Sequence, residues 1–145
     1  GNKVTSRNAD ASYDAIHTFK VEQEGEKVAI LALGDFYQRG EKLAQKMKET
    51  FHVQPTLINP RFASGMDIKL LEQLKENHEL IITLEDGILD GGFGQKIASY
   101  YGDSNIKVKN YGLQKHFYDR YDPEELLKQE KMDTQSILEY IKSVL

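Results

Sequence analysis

The six residues from Val28 to Leu33 read VAILAL, and Gly34 and Asp35 follow them directly. An uninterrupted apolar run of this length, ended by a turn signal, is typical of a strand that is buried on both faces of a sheet. Asp35 is suited to cap a helix that runs to about Phe51. The apolar residues of that helix recur at helical spacing: Phe36, Leu43, Ala44, Met47 and Phe51. The stretch therefore predicts a buried strand followed by a crossover helix.

The residues before this strand change character at Thr18. From Thr18 to Glu22 polar and apolar residues alternate, and the residues Glu24, Gly25 and Glu26 supply a turn. This pattern predicts a hairpin in which an edge strand precedes the buried strand. The polar segment 1–17 is predicted to be a linker arm, and the domain is expected to span residues 18–145. Because the segment starts without Met, we expect the chain to be a fragment of a longer one.

The strand–helix rhythm continues to the C-terminus. Three further strands are predicted, at Gln54–Ile58, Leu80–Leu84 and Ile106–Tyr111. Helix starts are predicted at four positions: after Asp67, at Gln95, after Asp122 and after Asp133. Strands that alternate with crossover helices predict an α/β fold with three layers, α/β/α. The sheet is expected to have five strands and to be mixed, mostly parallel, with an antiparallel first strand.

Charge and composition exclude several classes of protein. The 145 residues include 19 Lys and Arg against 23 Asp and Glu, a formal net charge of −4. Nucleic-acid binding needs clustered basic residues, so no nucleic-acid partner is expected. The chain has no cysteine, which excludes disulfides and thiolate chemistry. No apolar run approaches the ~20 residues of a membrane span and no signal peptide is recognised, so we expect a cytoplasmic protein without a membrane partner.

The residue types that usually carry chemistry are scattered. The histidines His17, His52, His78 and His116 do not pair at the helical spacing of metal ligands. The motif of a zinc protease is absent, and so is the Gly-x-Ser-x-Gly motif of a nucleophilic serine. We therefore predict no metal site and no catalytic residue in this chain. The aromatic and charged segment Lys115–Tyr121 fits either a protein interface or a loop that packs on the sheet.

The most distinctive segment, Glu85–Gly94, reads EDGILDGGFG. It follows a buried strand and precedes a helix, which is where ligands bind in open α/β sheets. A helix N-terminus attracts anions. However, the three carboxylates of the segment would repel a phosphate, and neither the dinucleotide motif nor the P-loop motif is complete. The other interpretation, which we prefer, is a tight turn whose glycines allow positive φ angles and close packing of the helix on the sheet.

The segment NPRF, residues 59–62, also follows a predicted strand at its carboxyl end. Its arginine, Arg61, could bind a carboxylate or a phosphate through two parallel hydrogen bonds. The alternative is a structural salt bridge to Glu85 or Asp86 at the end of the neighbouring strand. We favour the salt bridge.

Four blocks of residues together resemble one domain family. They are VAILALGDFY (28–37), LINPRFAS (57–64), LIITLEDGILDGGFGQKI (80–97) and VKNYGLQKHFYDRYDPEELL (108–127). In order and spacing they resemble the C-terminal domain of the transketolase-like thiamine diphosphate enzymes. The last block is most similar to the 1-deoxy-D-xylulose-5-phosphate synthase branch of that family. The resemblance covers residue 20 to the C-terminus.

The resemblance implies a non-catalytic domain that supports a homodimer. Thiamine diphosphate and magnesium are then expected on upstream domains of the same polypeptide, since the Gly-Asp-Gly motif of the family's cofactor site is absent here. No catalytic, cofactor-binding or metal-binding residue is carried over to this chain. The positions that match hallmarks of the family are expected to be architectural: Arg61, Glu85, Asp86, Gly91, Gly92 and Gly94.

The activity that the resemblance implies for the parent enzyme is the condensation of pyruvate with D-glyceraldehyde 3-phosphate, with loss of CO₂. Its product would supply isoprenoid and thiamine biosynthesis. The fragment alone is expected to be inactive. Two alternatives stay open: the same domain in a transketolase or a 2-oxo acid dehydrogenase β-subunit, and a free-standing α/β interaction module.

Overall fold

The computed structural model describes residues 18–61, 65–85, 92–112, 123–129 and 132–145. Within them, five strands form one sheet: β1 (Lys20–Gln23), β2 (Lys27–Ala32), β3 (Thr56–Asn59), β4 (His78–Glu85) and β5 (Lys107–Gly112). The α-helices are α1 (Tyr37–Phe51), α2 (Ile68–Leu74), α3 (Phe93–Tyr100), α4 (Pro123–Gln129) and α5 (Thr134–Val144). None of these helices is both long enough and apolar enough to cross a membrane. The predicted linker arm, residues 1–17, lies outside the described residues.

The strands are ordered β1-β3-β2-β4-β5. β2, β3, β4 and β5 run parallel to their neighbours, and β1 runs antiparallel to β3 with Lys20 opposite Asn59. The mixed sheet with an antiparallel first strand is thus confirmed. The predicted hairpin is wrong, because β1 pairs with β3 and not with β2. Both edges of β2 are taken by the parallel strands β3 and β4, so the first strand is displaced to the outside of β3.

The side chains of β2 alternate between two hydrophobic cores. Val28, Ile30 and Ala32 pack with helices α1, α4 and α5 on one face of the sheet. Ala29 and Leu31 pack with α2 and α3 on the other face. All five are completely buried. Each full burial of a large aliphatic side chain contributes about 1.5–3 kcal/mol, so the two cores explain why helices cover both faces. The predicted three-layer α/β/α architecture is confirmed.

Three of the predicted capping residues lie in the described part of the chain, and two of them cap their helices. Asp67 accepts a hydrogen bond from the Leu70 amide at 3.1 Å, and Asp133 accepts one from the Ser136 amide at 3.3 Å. Asp35 is not the N-cap residue of α1, because Phe36 occupies that position. Asp35 lies inside a 3₁₀ turn, Gly34–Phe36, that precedes the helix. Gly34 opens this turn with a φ of 66°, and the chain reaches the helical conformation only beyond Phe36.

A buried histidine joins three elements at the amino edge of the sheet. The Nδ1 atom of His78 lies 3.0 Å from the carbonyl oxygen of Leu74, which can only accept, so Nδ1 carries the proton. Nε2 then accepts from the hydroxyl of Thr56 at 2.7 Å, and the same hydroxyl oxygen accepts from the Gly25 amide at 2.9 Å. A neutral imidazole therefore makes both hydrogen bonds, donating to Leu74 and accepting from Thr56. Burial lowers the pKa of His78 below its ordinary value of 6.5.

This arrangement predicts a pH-dependent stability. Because the pKa of His78 is lower in the folded state, the unfolded chain binds a proton at this histidine at a higher pH than the folded chain does. The free energy of unfolding therefore decreases as the pH falls from 6.5 through the folded pKa of His78. The slope contributed by one proton cannot exceed about 1.4 kcal/mol per pH unit. Urea unfolding between pH 7.5 and 5 measures this slope.

The variant His78→Gln should flatten the slope. The control His52→Asn, at an exposed histidine in a left-handed conformation, should leave it unchanged. An unchanged slope in His78→Gln would contradict the assignment.

Candidate functional site

The parallel strands β2, β3, β4 and β5 end at one edge of the sheet. In open α/β folds this carboxyl edge is the usual place for a ligand. Of the residues singled out from the sequence, Arg61 lies at this edge beyond β3, and Glu85, Gly92 and Gly94 lie at it where β4 ends and α3 begins, with β2 between the two groups. Asp86 and Gly91 lie outside the described residues, and so does the aromatic segment 115–121.

The buried carboxylate of Glu85 ends strand β4 and turns toward helix α3. Its side chain is 4% exposed, and its Oε2 accepts a hydrogen bond from the backbone amide of Gly94 at 2.7 Å. Gly94 lies in the first turn of α3, where backbone amides have no partner within the helix. The chain thus supplies its own anion to the positive end of this helix. A carboxylate in this position opposes the binding of an external phosphate at the same amide.

Gly94 is required by the distance between α3 and the sheet. A Cβ at this position would lie 2.7 Å from Oγ1 of Thr83 and 2.8 Å from the side-chain amide of Asn110. Those two side chains are joined by a hydrogen bond of 2.6 Å between β4 and β5. The close packing predicted for the glycines is thus found at Gly94. The positive φ angle predicted at one or more of the glycines between residues 91 and 94 is not found at Gly92, with a φ of −81°, or at Gly94, which is helical, while Gly91 lies outside the described residues.

Replacing Gly94 by alanine should therefore destabilise the domain. The added methyl has to push apart Thr83 and Asn110, and such overpacking costs about 1–3 kcal/mol. The matched control is Gly102→Ala, where the nearest atom outside the neighbouring residues is the Ser99 carbonyl oxygen at 3.3 Å. That exposed site should change by less than about 0.5 kcal/mol. Urea denaturation of both variants measures the difference. Equal stabilities would show that α3 can move away from the sheet at little cost.

Arg61 lies two residues beyond the end of β3, and its side chain is exposed. Its backbone has a φ of 73°, in the left-handed region that favours glycine. The amide of Arg61 donates to the side-chain oxygen of Asn59 at 2.9 Å, which holds the turn in place. Among the described residues no ion pair joins Arg61 to Glu85, so the favoured salt bridge to Glu85 is wrong. Glu85 points to the amide of Gly94, and the other expected partner, Asp86, lies outside the described residues.

The exposure of Arg61 predicts that its guanidinium contributes little to the stability of this chain. Arg61→Ala should change the free energy of unfolding by less than about 0.5 kcal/mol. Arg61→Gly should be at least as stable as Arg61→Ala, because a residue with a Cβ pays roughly 1–2 kcal/mol for the left-handed conformation. Chemical denaturation of both variants tests this. A loss of several kcal/mol in Arg61→Ala would indicate a buried partner for the guanidinium.

The donor groups of the described residues do not fit a magnesium–diphosphate site. Magnesium needs several oxygen ligands in a near-octahedral arrangement. In the described part of the chain, no group of three His, Asp or Glu side chains is placed to hold a metal ion. A groove of about 550 Å³ does exist, but at the opposite edge of the sheet, near the amino ends of β4 and β5.

The chain is thus a three-layer α/β domain with a five-stranded mixed sheet. At the carboxyl edge of that sheet, where ligands usually bind in such folds, the polar groups of Glu85 and Thr83 form hydrogen bonds within the domain. The family model described as "Transketolase, C-terminal domain" matches residues 17–137. The chain therefore belongs to the transketolase C-terminal domain family. Its predicted resemblance to that family is confirmed.

Among curated relatives, the chain is 30% identical over 129 residues to the 1-deoxy-D-xylulose-5-phosphate synthase of Clostridium tetani (strain Massachusetts / E88), covering 88% of this chain and 21% of that protein. It is also 30% identical over 130 residues to the synthase of the same name from Francisella tularensis subsp. novicida (strain U112), covering 87% of this chain and 20% of that protein. The chain thus spans about a fifth of the length of these relatives.

A similar solved structure is a split-gene transketolase described as an inactive β4 tetramer. It superposes with a TM-score of 0.72 at 23% identity, covering 88% of this chain and 42% of that one. A second is a 2-oxoglutarate:ferredoxin oxidoreductase from Magnetococcus marinus, with a TM-score of 0.53 at 16% identity, covering 92% of this chain and 23% of that one. At these identities the likeness concerns the fold.

Proposed function

We propose that this chain is the C-terminal domain of a thiamine diphosphate-dependent synthase that makes 1-deoxy-D-xylulose 5-phosphate. The observation that carries the proposal is the 30% identity to two such synthases over 87–88% of this chain. Because the chain corresponds to about a fifth of those proteins, the remainder of the parent polypeptide would bind thiamine diphosphate and magnesium. The parent would condense pyruvate with D-glyceraldehyde 3-phosphate, with loss of CO₂, as a cytoplasmic homodimer.

Within that enzyme the domain would act as a rigid support. The contacts at the carboxyl edge favour this role, because they satisfy polar groups that a ligand would otherwise use. Glu85 bonds the amide of Gly94, and Thr83 bonds Asn110. Because these groups already form hydrogen bonds within the domain, they are poorly suited to bind a substrate. The same bonds make this edge rigid, which suits a domain that holds its neighbours in position. The hallmark positions would then be architectural.

The two enzymatic alternatives differ in the substrates of the parent enzyme. A transketolase would transfer a two-carbon unit from a ketose phosphate, and a 2-oxo acid dehydrogenase β-subunit would act on a 2-oxo acid without an aldose acceptor. The likeness to the split-gene transketolase is one of fold at 23% identity, and the identity to the synthases is higher. The sequence similarity therefore favours the synthase.

The natural full-length polypeptide that carries this chain provides the test. We expect it to release CO₂ from pyruvate only when D-glyceraldehyde 3-phosphate, thiamine diphosphate and magnesium are all present. The control replaces pyruvate by a ketose phosphate, the donor of a transketolase, and should give no product. CO₂ release without the aldose, or turnover of the ketose phosphate, would instead support one of the alternatives.

The 145-residue chain by itself should not bind the cofactor. Titration with thiamine diphosphate and magnesium in a calorimeter should give no saturable heat, because the described residues do not form the oxygen-ligand set that magnesium requires. The full-length polypeptide is the positive control under the same conditions. A micromolar dissociation constant for the 145-residue chain would contradict the proposed division of roles.

A further inference from the structure

The topology determines where the polypeptide enters the domain. β1 runs antiparallel to β3, and Lys20 at its start pairs with Asn59 at the end of β3. The chain therefore enters at the carboxyl edge of the parallel strands. The buried carboxylate of Asp67 fixes this point, since its Oδ2 accepts from the Phe19 amide at 3.0 Å while its Oδ1 accepts from the Leu70 amide in α2. Whatever precedes β1 emerges beside the end of β3 and the start of α2.

Exposed apolar side chains lie at the same place. Among the described residues, three large hydrophobic side chains are exposed: Val21, Ile68 and Leu145. Val21 lies in β1 opposite Ile58, and it therefore faces the side of the sheet that α2 covers. Ile68 is the first residue of α2 and is 47% exposed, next to Asp67. Two of the three thus lie beside the point of entry.

Exposed positive charge lies there as well. Arg61 and Lys69 are exposed, and neither makes an ion pair in the described part of the chain. Lys20 and Glu22 pair with each other at 3.5 Å. Arg61 is moreover held in a left-handed backbone conformation, in which its amide donates to the side-chain oxygen of Asn59. Residues other than glycine in this region of φ are uncommon and are found more often at functional sites than elsewhere. The whole chain, by contrast, has a net charge of −4.

We propose that Val21, Arg61, Ile68 and Lys69, here called the entry corner, form the docking surface for a domain that precedes residue 1 in the longer polypeptide. The inference rests on the proposed function, in which this chain is one domain of a longer enzyme. The surface that covers the corner carries an exposed carboxylate opposite Arg61 beside an apolar patch opposite Ile68. An arginine beside apolar side chains suits the centre of an interface, because its guanidinium binds a carboxylate bidentately.

The test uses the natural full-length polypeptide and compares amide hydrogen exchange in the segments 18–23 and 65–72. Arg61→Glu and Ile68→Asp should each increase exchange there by about tenfold or more, because each places a charge against a surface that repels or cannot solvate it. The matched controls are Lys42→Glu, an exposed lysine on α1, and Leu145→Asp, whose leucine is 45% exposed. The controls should leave exchange in both segments unchanged.

The same variants in the 145-residue chain separate docking from folding. Since both side chains are exposed there, the melting temperature should stay within a few degrees of the parent chain. If the full-length polypeptide contains preceding domains and neither variant changes hydrogen exchange in the segments 18–23 and 65–72, the entry corner is not a docking surface. The proposed function would then remain intact. Loss of a dimer of the 145-residue chain in Arg61→Glu would also overturn the entry corner, because the occupant would then be a second copy. A natural polypeptide without preceding domains would overturn the proposed function itself.

Discussion

Strand β2 has to satisfy all of its backbone hydrogen bonds inside the sheet, because the residues from Val28 to Ala32 are completely buried and no water reaches them. It therefore needs a strand on each edge and helices on each face. Ala29, for example, lies between Thr56 of β3 and Ile81 of β4. This requirement places β3 and β4 on opposite sides of β2, and the crossover helices consequently cover opposite faces. The remaining strands can join only at the outside, β1 next to β3 and β5 next to β4.

The central position of β2 also decides what the edges of the sheet can do. The strands around it end together, so the side chains and amides at their carboxyl ends lie within reach of one another. Here these groups bond internally: Glu85 binds the amide of Gly94, and Thr83 binds Asn110. The same edge in a ligand-binding α/β domain leaves helix amides free for an anion. The contrast supports a structural role for this edge in our proposal.

One corner of the same edge carries exposed side chains. Arg61 and Ile68 are exposed there, close to the point where the chain enters the domain. The buried carboxylate of Asp67 accepts hydrogen bonds from the amide of Phe19, just before β1, and from the amide of Leu70 in α2. A rigid anchor beneath an exposed apolar and basic surface is a reasonable design for a domain that carries its neighbours. The proposed synthase would then depend on this domain for the position of other domains, while its chemistry occurs elsewhere in the polypeptide.

Sequence alone determined the layers, the central strand and two helix caps, because each depends on local patterns: the apolar run from Val28 to Leu33, and Asp67 and Asp133 before apolar helices. It could not determine which strand β1 joins, because a turn at Gly25 is compatible with either partner. The environments of Arg61 and Glu85 were also decided only by the tertiary structure. Both are charged residues at or just beyond the carboxyl end of a strand, yet Arg61 is exposed and Glu85 is buried. The distance between α3 and the sheet brings Gly94 to Glu85, and no local pattern contains that distance.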